Sequence, residues 1–478
     1  MKNSNSEKSN YFTETFGKKE TKAEKSKKQK NNSARATNLR QIEKSQLRGK
    51  NSQKNQKPEI SKKSDKAFPY EILNHQFDSK TLKSDAQKIL KDFDLLLQEV
   101  RPLNSRQLQQ LPDNIRQLSH QLTDQRSERR LGYMNENIQL SAYVRYYTWW
   151  NLVRMTRLFA NLPPESFPQR DGICLDLGSG PLTLVNALWL SRPELRKLNL
   201  TWYCLDVSQN ALTLGEDIYM SIAAKCPANQ NDSEKSENQD SENQNHWKII
   251  RIKDSFGAFI KQKADFITCG NMFNELDQTS DMPPEFKVKK YYQQILAYAS
   301  QNAKFLIVEP GVPKTARTLS LFRDRFLKDG KTVISPCPHS ESCPMNGFKS
   351  YTGSKNKWCN FAFSTEDAPQ KLQKLSENSK LPKERAVLSF LSVTSATCHN
   401  TSDASSLILK IASDAFSLPD HKTGFYACSK LGLTLVKTQN PQNFLCGDLV
   451  KVTVKTKTPD FKATLQSDPK SGAVIIEL

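Results

Sequence analysis

The stretch Gly172–Leu190 reads GICLDLGSGPLTLVNALWL, an apolar run, a glycine turn and then apolar residues at helical spacing. Ile173, Leu175 and Leu177 suit a buried parallel strand, and Gly178 and Gly180 allow a turn whose backbone can approach a ligand closely. A strand feeding a helix through such a turn commits the chain to a doubly wound α/β domain. The dinucleotide-binding version of this turn needs a further glycine three residues after Gly180, where Thr183 stands, which disfavours a nicotinamide or flavin enzyme.

A second strand follows at the expected distance. TWYCLDVS ends its apolar run at Asp206, 26 residues after Gly180, so a carboxylate lies at the neighbouring strand tip, where such a group accepts hydrogen bonds from both ribose hydroxyls of a nucleotide. Capping of the next helix is the plainer role for Asp206. Asp176 at the end of the first strand, followed by glycines two and four residues later, resembles the first cofactor loop of S-adenosylmethionine-dependent methyltransferases. That form often carries another glycine at position 182, and here the residue is Leu182.

Charge separates the chain into unequal parts. Of the +20 formal charge, residues 1–66 carry +12, from 19 basic and 7 acidic side chains. Their Lys, Asn, Ser and Gln cannot bury enough apolar surface to offset ordering entropy, so they read as a disordered basic arm suited to a polyanion such as nucleic acid. No run reaches the roughly 18 apolar residues of a membrane span, and the N-terminus lacks a signal-peptide core. A cytoplasmic protein is expected, with a mitochondrial matrix location open for a eukaryotic source. Ten cysteines in a reducing compartment are core thiols or metal ligands rather than a disulfide framework.

Residues 67–165 read as a helical domain. Leu82, Ala86, Ile89, Phe93, Leu96 and Val100 form one apolar stripe; Leu111, Ile115, Leu118 and Leu122 form another; Leu140, Tyr143, Val144, Tyr147, Met155 and Phe159 form a third. Arg126, Arg129, Arg130, Arg145, Arg154 and Arg157 beside them are phosphate-contact candidates or solvated helix faces. The α/β domain spans 166–332 and is interrupted by a low-complexity insertion at 227–246. Asp254 after the third strand is a candidate for the adenine side. Asn271 and Glu275 follow the fourth strand, ADFITCG, where amino-methylating enzymes carry Asn or Asp, two prolines and an aromatic; the prolines are absent here.

Residues 333–382 contain Cys337, Cys343 and Cys359 in an irregular segment rich in Pro, Gly, Ser and Lys. Soft thiolates in a loop without its own apolar core point to an iron–sulfur cluster or zinc. Residues 383–478 read as a β-rich C-terminal domain.

The succession VEPG, a helix closed by Gly330, Cys-Pro-His, Cys-Pro and Trp-Cys-x-Phe resembles the Rsm-type family of methyltransferase-like small ribosomal subunit assembly factors, with mitochondrial and bacterial relatives. The resemblance covers roughly 130–460 and is strongest at 304–363. It implies a Rossmann-like methyltransferase domain binding S-adenosyl-L-methionine, a [4Fe–4S] site of four cysteines, a small β-rich domain, and action on the small ribosomal subunit or its rRNA. Cys337, Cys343 and Cys359 carry over as ligands; Cys428 in GFYACSKLG is the expected fourth, ahead of Cys446 and Cys398. His339 would orient the loop, or bind zinc in the alternative. The chain is then expected to be an rRNA methyltransferase, or else a non-catalytic RNA-binding assembly factor on the same fold.

Overall fold

The computed structural model describes residues 67–123, 132–228, 246–276, 282–347, 357–396, 405–419, 421–454, 462 and 465–478, all within the compact unit Lys66–Leu478. The arm of residues 1–66, Arg126, Arg129, Arg130, most of the 227–246 insertion, residues 348–356 of the cysteine segment, and Cys398 lie outside the described residues.

The first sheet is built on β2 (Gly172–Leu177), which pairs in parallel with β3 (Leu200–Asp206) on one side and β5 (Ala264–Gly270) on the other. β4 (Lys248–Lys253) extends it beyond β3, and β6 (Ala299–Pro310) beyond β5, all parallel. Chain order therefore reverses at β2, and a crevice opens there at the carboxyl ends of the strands. Past β6 lie β9 (Arg385–Thr394), antiparallel, and then β7 (Thr332–Ser335); β8 (Phe361–Ser364) also pairs with β9. The AVLSFLSVT strand, expected in the C-terminal β-rich part, thus belongs to the first sheet. Its β9 register against β6 buries Leu388, Phe390, Leu391 and Val393, a requirement that is invisible to local pattern.

The helices that cover this sheet are buried to different depths. α1 (Ser84–Lys91), α2 (Phe93–Val100) and α3 (Ser105–Thr123) bury only stripes, including the expected Ala86, Ile89, Phe93 and Leu96. After α4 (Asn137–Ala142), a π-helical turn at Tyr143–Thr148 leads into α5 (Trp149–Ala160), which is buried on nearly every side. α5 packs on α6 (Thr183–Ser191), itself wholly buried between α5 and the sheet. A helix apolar all round belongs in such a middle layer. Behind it, Trp247 restarts the chain after the insertion: its backbone N–H donates to Tyr219 Oη at 2.7 Å, and its ring meets Trp189 at 4.9 Å and Trp202 at 5.8 Å. The Trp189 pair is edge-to-face, an arrangement that adds about 0.5–1.5 kcal/mol beyond area burial.

Three described arginines of the helical segment are neither solvated nor free for phosphate. Arg145 donates to the carbonyls of Leu97 and Arg101 at the end of α2, Arg154 to the carbonyl of Val387, and Arg157 to Asp367 Oδ1 at 2.6 Å. Arg145 and Arg154 thus serve helix-end and strand carbonyls, and Arg157 forms an ion pair.

The second sheet runs β1 (Tyr70–Asn74), β14 (Leu449–Thr453), β10 (Ser406–Ile411), β12 (Thr423–Ser429), β13 (Gly432–Thr438) and β15 (Val474–Glu477), with β11 (Phe416–Ser417) on β12. Residues 70–74 were expected in the helical domain. Instead Tyr70, Ile72 and Asn74 alternate with exposed neighbours on a strand whose partner lies far along the chain, at Leu449–Val452.

Candidate functional site

One cavity opens at the β2 switch point. It is lined by Asp176, Gly178 and Gly180 after β2, Asp206 after β3, Asp254 after β4, and Asn271 and Glu275 after β5. Every residue expected to hold the cofactor or to stand near the chemistry therefore faces one space.

The loop is held by the neighbouring strand. Gly178 and Ser179 both donate their N–H to the Leu205 carbonyl, at 2.9 and 3.0 Å. Gly180 N–H donates to Asp206 Oδ2 and Ser208 N–H to Asp206 Oδ1, both at 2.8 Å. Burial raises the Asp206 carboxyl, and these backbone bonds work in the opposite direction. Gly178 has φ +67°, and a Cβ there would stand 2.9 Å from Met272 Cγ, so only glycine fits. Leu182 also takes a left-handed conformation, φ 52°, which favours glycine. The backbone of the family turn is retained with an L-residue in it, and the Leu182 side chain is wholly buried. Behind it α7 (Gln209–Lys225) carries Gly215, whose Cβ would come within 2.5 Å of the Pro181 carbonyl carbon.

Asp176 is strongly perturbed. Thr268 Oγ1 donates to its Oδ1 at 2.6 Å, while Oδ2 is buried without a hydrogen-bond partner. Burial pushes the carboxyl up to about 7, against the pull of the hydroxyl bonds. Asn271, at φ 59°, likewise holds a buried Oδ1 without a hydrogen-bond partner. The left-handed backbone, which asparagine adopts more readily than most residues, leaves this acceptor facing the cavity.

Three features escape the local sequence pattern. Tyr143 and Met155, which periodicity assigns to a core stripe, line the cavity from the helical layer together with Asn151. The Asn within that apolar run was the available signal; the π-turn that aims Tyr143 was not. Burial raises the Tyr143 hydroxyl, with Glu275 and Asp206 adding to the rise. Glu309 of VEPG is fully buried and accepts from the N–H groups of Phe273 (2.9 Å) and Asn274 (3.1 Å), fixing α8 (Phe273–Leu276) and with it Glu275. Phe273, the aromatic after the fourth strand, packs in the core against Phe322 at 4.7 Å rather than facing the cavity.

A second constellation gathers Cys337, Cys343, Cys359 and Cys428. The Cys359 thiol is raised well above its ordinary value by burial, with Cys343, Cys337 and Cys428 adding; Cys428 is raised in the same way, with Cys337 and Cys343 adding. Met345 O accepts from Cys359 N–H at 3.0 Å and Lys357 O from Gly347 N–H at 2.8 Å, which brings Cys343 and Cys359 together. Arg323, on α10 (Pro313–Lys328), donates to Cys337 Sγ at 3.1 Å and to the carbonyls of His339 and Glu341. His339 Nε2 lies 2.9 Å from Cys428 Sγ, and burial lowers the imidazole to about 4, so it is neutral near pH 7. Lys410 is buried opposite Cys428 in the β10–β12 register. Cys446 stands apart: its sulfur accepts from Ala362 N–H at 3.4 Å, and no other thiol perturbs it. Among the described residues, no three His, Cys, Asp or Glu side chains are placed to hold one metal ion.

The parallel sheet, with helices on its faces and a cavity at the switch point, defines an α/β protein of the doubly wound class. The chain belongs to the Rsm22 family, described as mitochondrial small ribosomal subunit Rsm22, whose model matches residues 139–413. Solved structures similar to it include a putative class I S-adenosylmethionine-dependent methyltransferase from Listeria monocytogenes (10% identity, 67% of this chain and 90% of that one, TM-score 0.28). A putative RNA methyltransferase from Pyrococcus horikoshii is also similar (10%, 52% and 83%, 0.27). So is a methyltransferase from Geobacter sulfurreducens in complex with S-adenosyl-L-homocysteine (11%, 48% and 91%, 0.26). No curated protein sequence matches the chain. No described helix is long and apolar enough to cross a membrane.

Proposed function

We propose that the protein binds S-adenosyl-L-methionine at the β2 crevice and acts on the small ribosomal subunit or its rRNA, as a methyltransferase or as a methyltransferase-fold assembly factor. The observation that carries this reading is the single cavity shared by Asp176, Gly178, Gly180, Asp206, Asp254, Asn271 and Glu275. Each Asp206 oxygen accepts one backbone N–H and keeps a second lone pair for a ribose hydroxyl. The unpartnered Asp176 oxygen suits the ammonium of the methionyl part, and the segment from Asp254 would border the adenine. When bound, the cofactor supplies an electrophilic methyl group. Asn271 Oδ1 is placed to accept from an amino or ring N–H of a base, and Glu275 to take up a proton from it. Calorimetry with S-adenosyl-L-methionine tests the reading, and rRNA mass spectrometry from a deletion strain would show a missing methylated base.

Leu182 in the turn and Phe273 turned into the core favour the second reading, a non-catalytic RNA-binding factor. In that case the cofactor binds but no methylated base is lost. The family description favours the mitochondrial matrix over the cytosol.

We further propose that Cys337, Cys343, Cys359 and Cys428 hold a structural [4Fe–4S] cluster, with zinc as the alternative metal. The thiols are soft and mutually interacting, with Cys428 buried and the other three half-buried, and the buried cations Arg323 and Lys410 would offset the negative charge of four thiolates. A cube would take one thiolate on each of its four iron atoms, whereas zinc would take all four on one tetrahedral ion. His339 would hold the Cys428 sulfur in place, and the cluster would tie the cysteine segment to the second sheet.

A further inference from the structure

Two phenylalanines stand out on the rim beside the cavity: Phe259 is 91% exposed and Phe286 64% exposed. Single exposed apolar side chains are ordinary, but these two sit on fixed supports. The segment after β4 leaves the cavity wall at Phe256, whose ring packs on Tyr291 at 5.8 Å. It then lies along α9 (Pro284–Tyr298): Gly257 N–H donates to Tyr298 Oη at 3.0 Å, and Tyr298 Oη donates to the Ala258 carbonyl at 2.9 Å. Gly257 has φ +101°, and a Cβ there would meet Gln294 Nε2 at 2.6 Å, so this tight approach also needs glycine. Phe259 follows next, held outward at the C-terminal end of α9 and no more than about 10 Å of chain from Phe256.

Phe286 lies on the first turn of α9. Val288, Tyr292 and Ile295 bury the helix's inner face, while Phe286, Lys289, Lys290 and Gln293 share the exposed stripe at spacings of three, four and seven. Twelve residues of helix separate the level of Phe286 from that of Tyr298, about 18 Å. Lys253 and Lys261 add exposed positive charge beside Phe259. Among the described residues, the acidic groups near this helix include Asp254 and Glu275, at the cavity, Asp329, which accepts from Tyr292 Oη at 2.7 Å, and Glu285, which is paired with Arg317 at 2.8 Å.

We infer that this rim is a landing surface for single-stranded RNA, with unpaired bases stacking on Phe259 and Phe286 and the backbone running past Lys289 and Lys290. The inference rests on the reading that the protein binds RNA, and it names where a strand enters the cavity. Rings held out on rigid supports offer a π-face to any base, and lysines between them match the phosphates. A duplex keeps its bases stacked inside and cannot use the rings.

The test uses the full chain, a fluorescein-labelled single-stranded RNA of mixed sequence and the same RNA annealed to its complement, with anisotropy read across a potassium chloride series. Phe259→Ala and Phe286→Ala should each weaken single-strand binding by roughly tenfold without changing duplex binding, thermal melting or the salt slope. Phe259→Tyr should keep the affinity and Phe259→Leu should not. Replacing Lys289 and Lys290 by alanine should reduce the single-strand salt slope by about 1.4. Wild-type affinity in both Ala variants overturns the inference while leaving RNA binding intact. Full affinity in Phe259→Leu also overturns it, since a merely apolar contact would then suffice, as for a protein partner. A wild-type chain that binds no RNA would instead remove the RNA reading itself.

Discussion

The backbone N–H of Gly180 and the carboxylate of Asp206 meet at 2.8 Å, joining the glycine turn of β2 to the tip of β3. The two motifs, 26 residues apart in sequence, are one structural unit, and the carboxylate that would bind ribose also shapes the turn. Asp206→Ala should therefore weaken S-adenosyl-L-methionine binding by more than a lost ribose contact alone, at least tenfold by calorimetry. It should also lower the chemical denaturation midpoint, because two backbone N–H groups lose their acceptor, at about 1–3 kcal/mol for each buried donor left unmade.

Asp176 gives a pH signature. Its carboxyl is raised to about 7 in the fold against about 3.9 in an unfolded chain. The folded state therefore binds the extra proton between those values, and stability falls as pH rises from 4 to 7, by up to about 4 kcal/mol. Asp176→Asn should be the more stable protein at pH 7 and should flatten that slope in urea titrations at stepped pH. If the ionised carboxylate receives the cofactor ammonium, wild-type affinity should rise from pH 5.5 to 7 and the Asn variant should show no such rise.

Behind the turn, Gly215→Ala separates helix propensity from packing. Alanine favours a helix interior by about 1 kcal/mol, yet its Cβ would lie 2.5 Å from the Pro181 carbonyl carbon and 2.8 Å from Leu182 N. The turn must shift, so cofactor affinity should drop at least tenfold while far-UV circular dichroism stays unchanged. An unchanged affinity would mean that the turn yields without consequence.

Much of this geometry was legible beforehand. Asp176, Gly178, Gly180 and Asp206 were readable because strand ends and glycine turns leave local marks, and Asp254, Asn271 and Glu275 follow from counting strands. Only the resemblance singles out Cys428 over Cys446 in the sequence; Cys337 and Cys343 perturb the Cys428 thiol, whereas the groups that act on Cys446 are Ala362, Asp414, Arg385 and Lys410. What stayed hidden depends on distant partners. Tyr70–Asn74 is a strand only because Leu449–Val452 pairs with it, and Arg385–Thr394 joins the first sheet only through its register with β6. Tyr143 and Met155 occupy positions that helical periodicity assigns to core, and only the fold shows that the core there opens into a cavity.

Serine at Cys428 should release the metal and loosen the second sheet, whereas serine at Cys446 should do neither. Protein prepared without oxygen should be brown and hold about four irons per chain; a colourless preparation with one zinc would keep the ligands and change the metal. Metal loss in Cys446→Ser with retention in Cys428→Ser would reverse the ligand assignment.

The basic arm offers a separate handle. Its 19 basic side chains should add affinity through phosphate contacts. Deleting residues 1–66 should weaken RNA binding and flatten its dependence on salt. An unchanged slope would leave the arm outside the RNA interface.

The central claim is that the β2 crevice is an S-adenosyl-L-methionine site, and calorimetric titration of the cofactor into pure, metal-loaded protein tests it most directly. One cofactor should bind per chain, and Gly178→Arg, which drives a side chain into the space already held by Met272, should abolish the heat. A wild-type protein that is folded, metal-loaded and thermally silent toward the cofactor would contradict the claim.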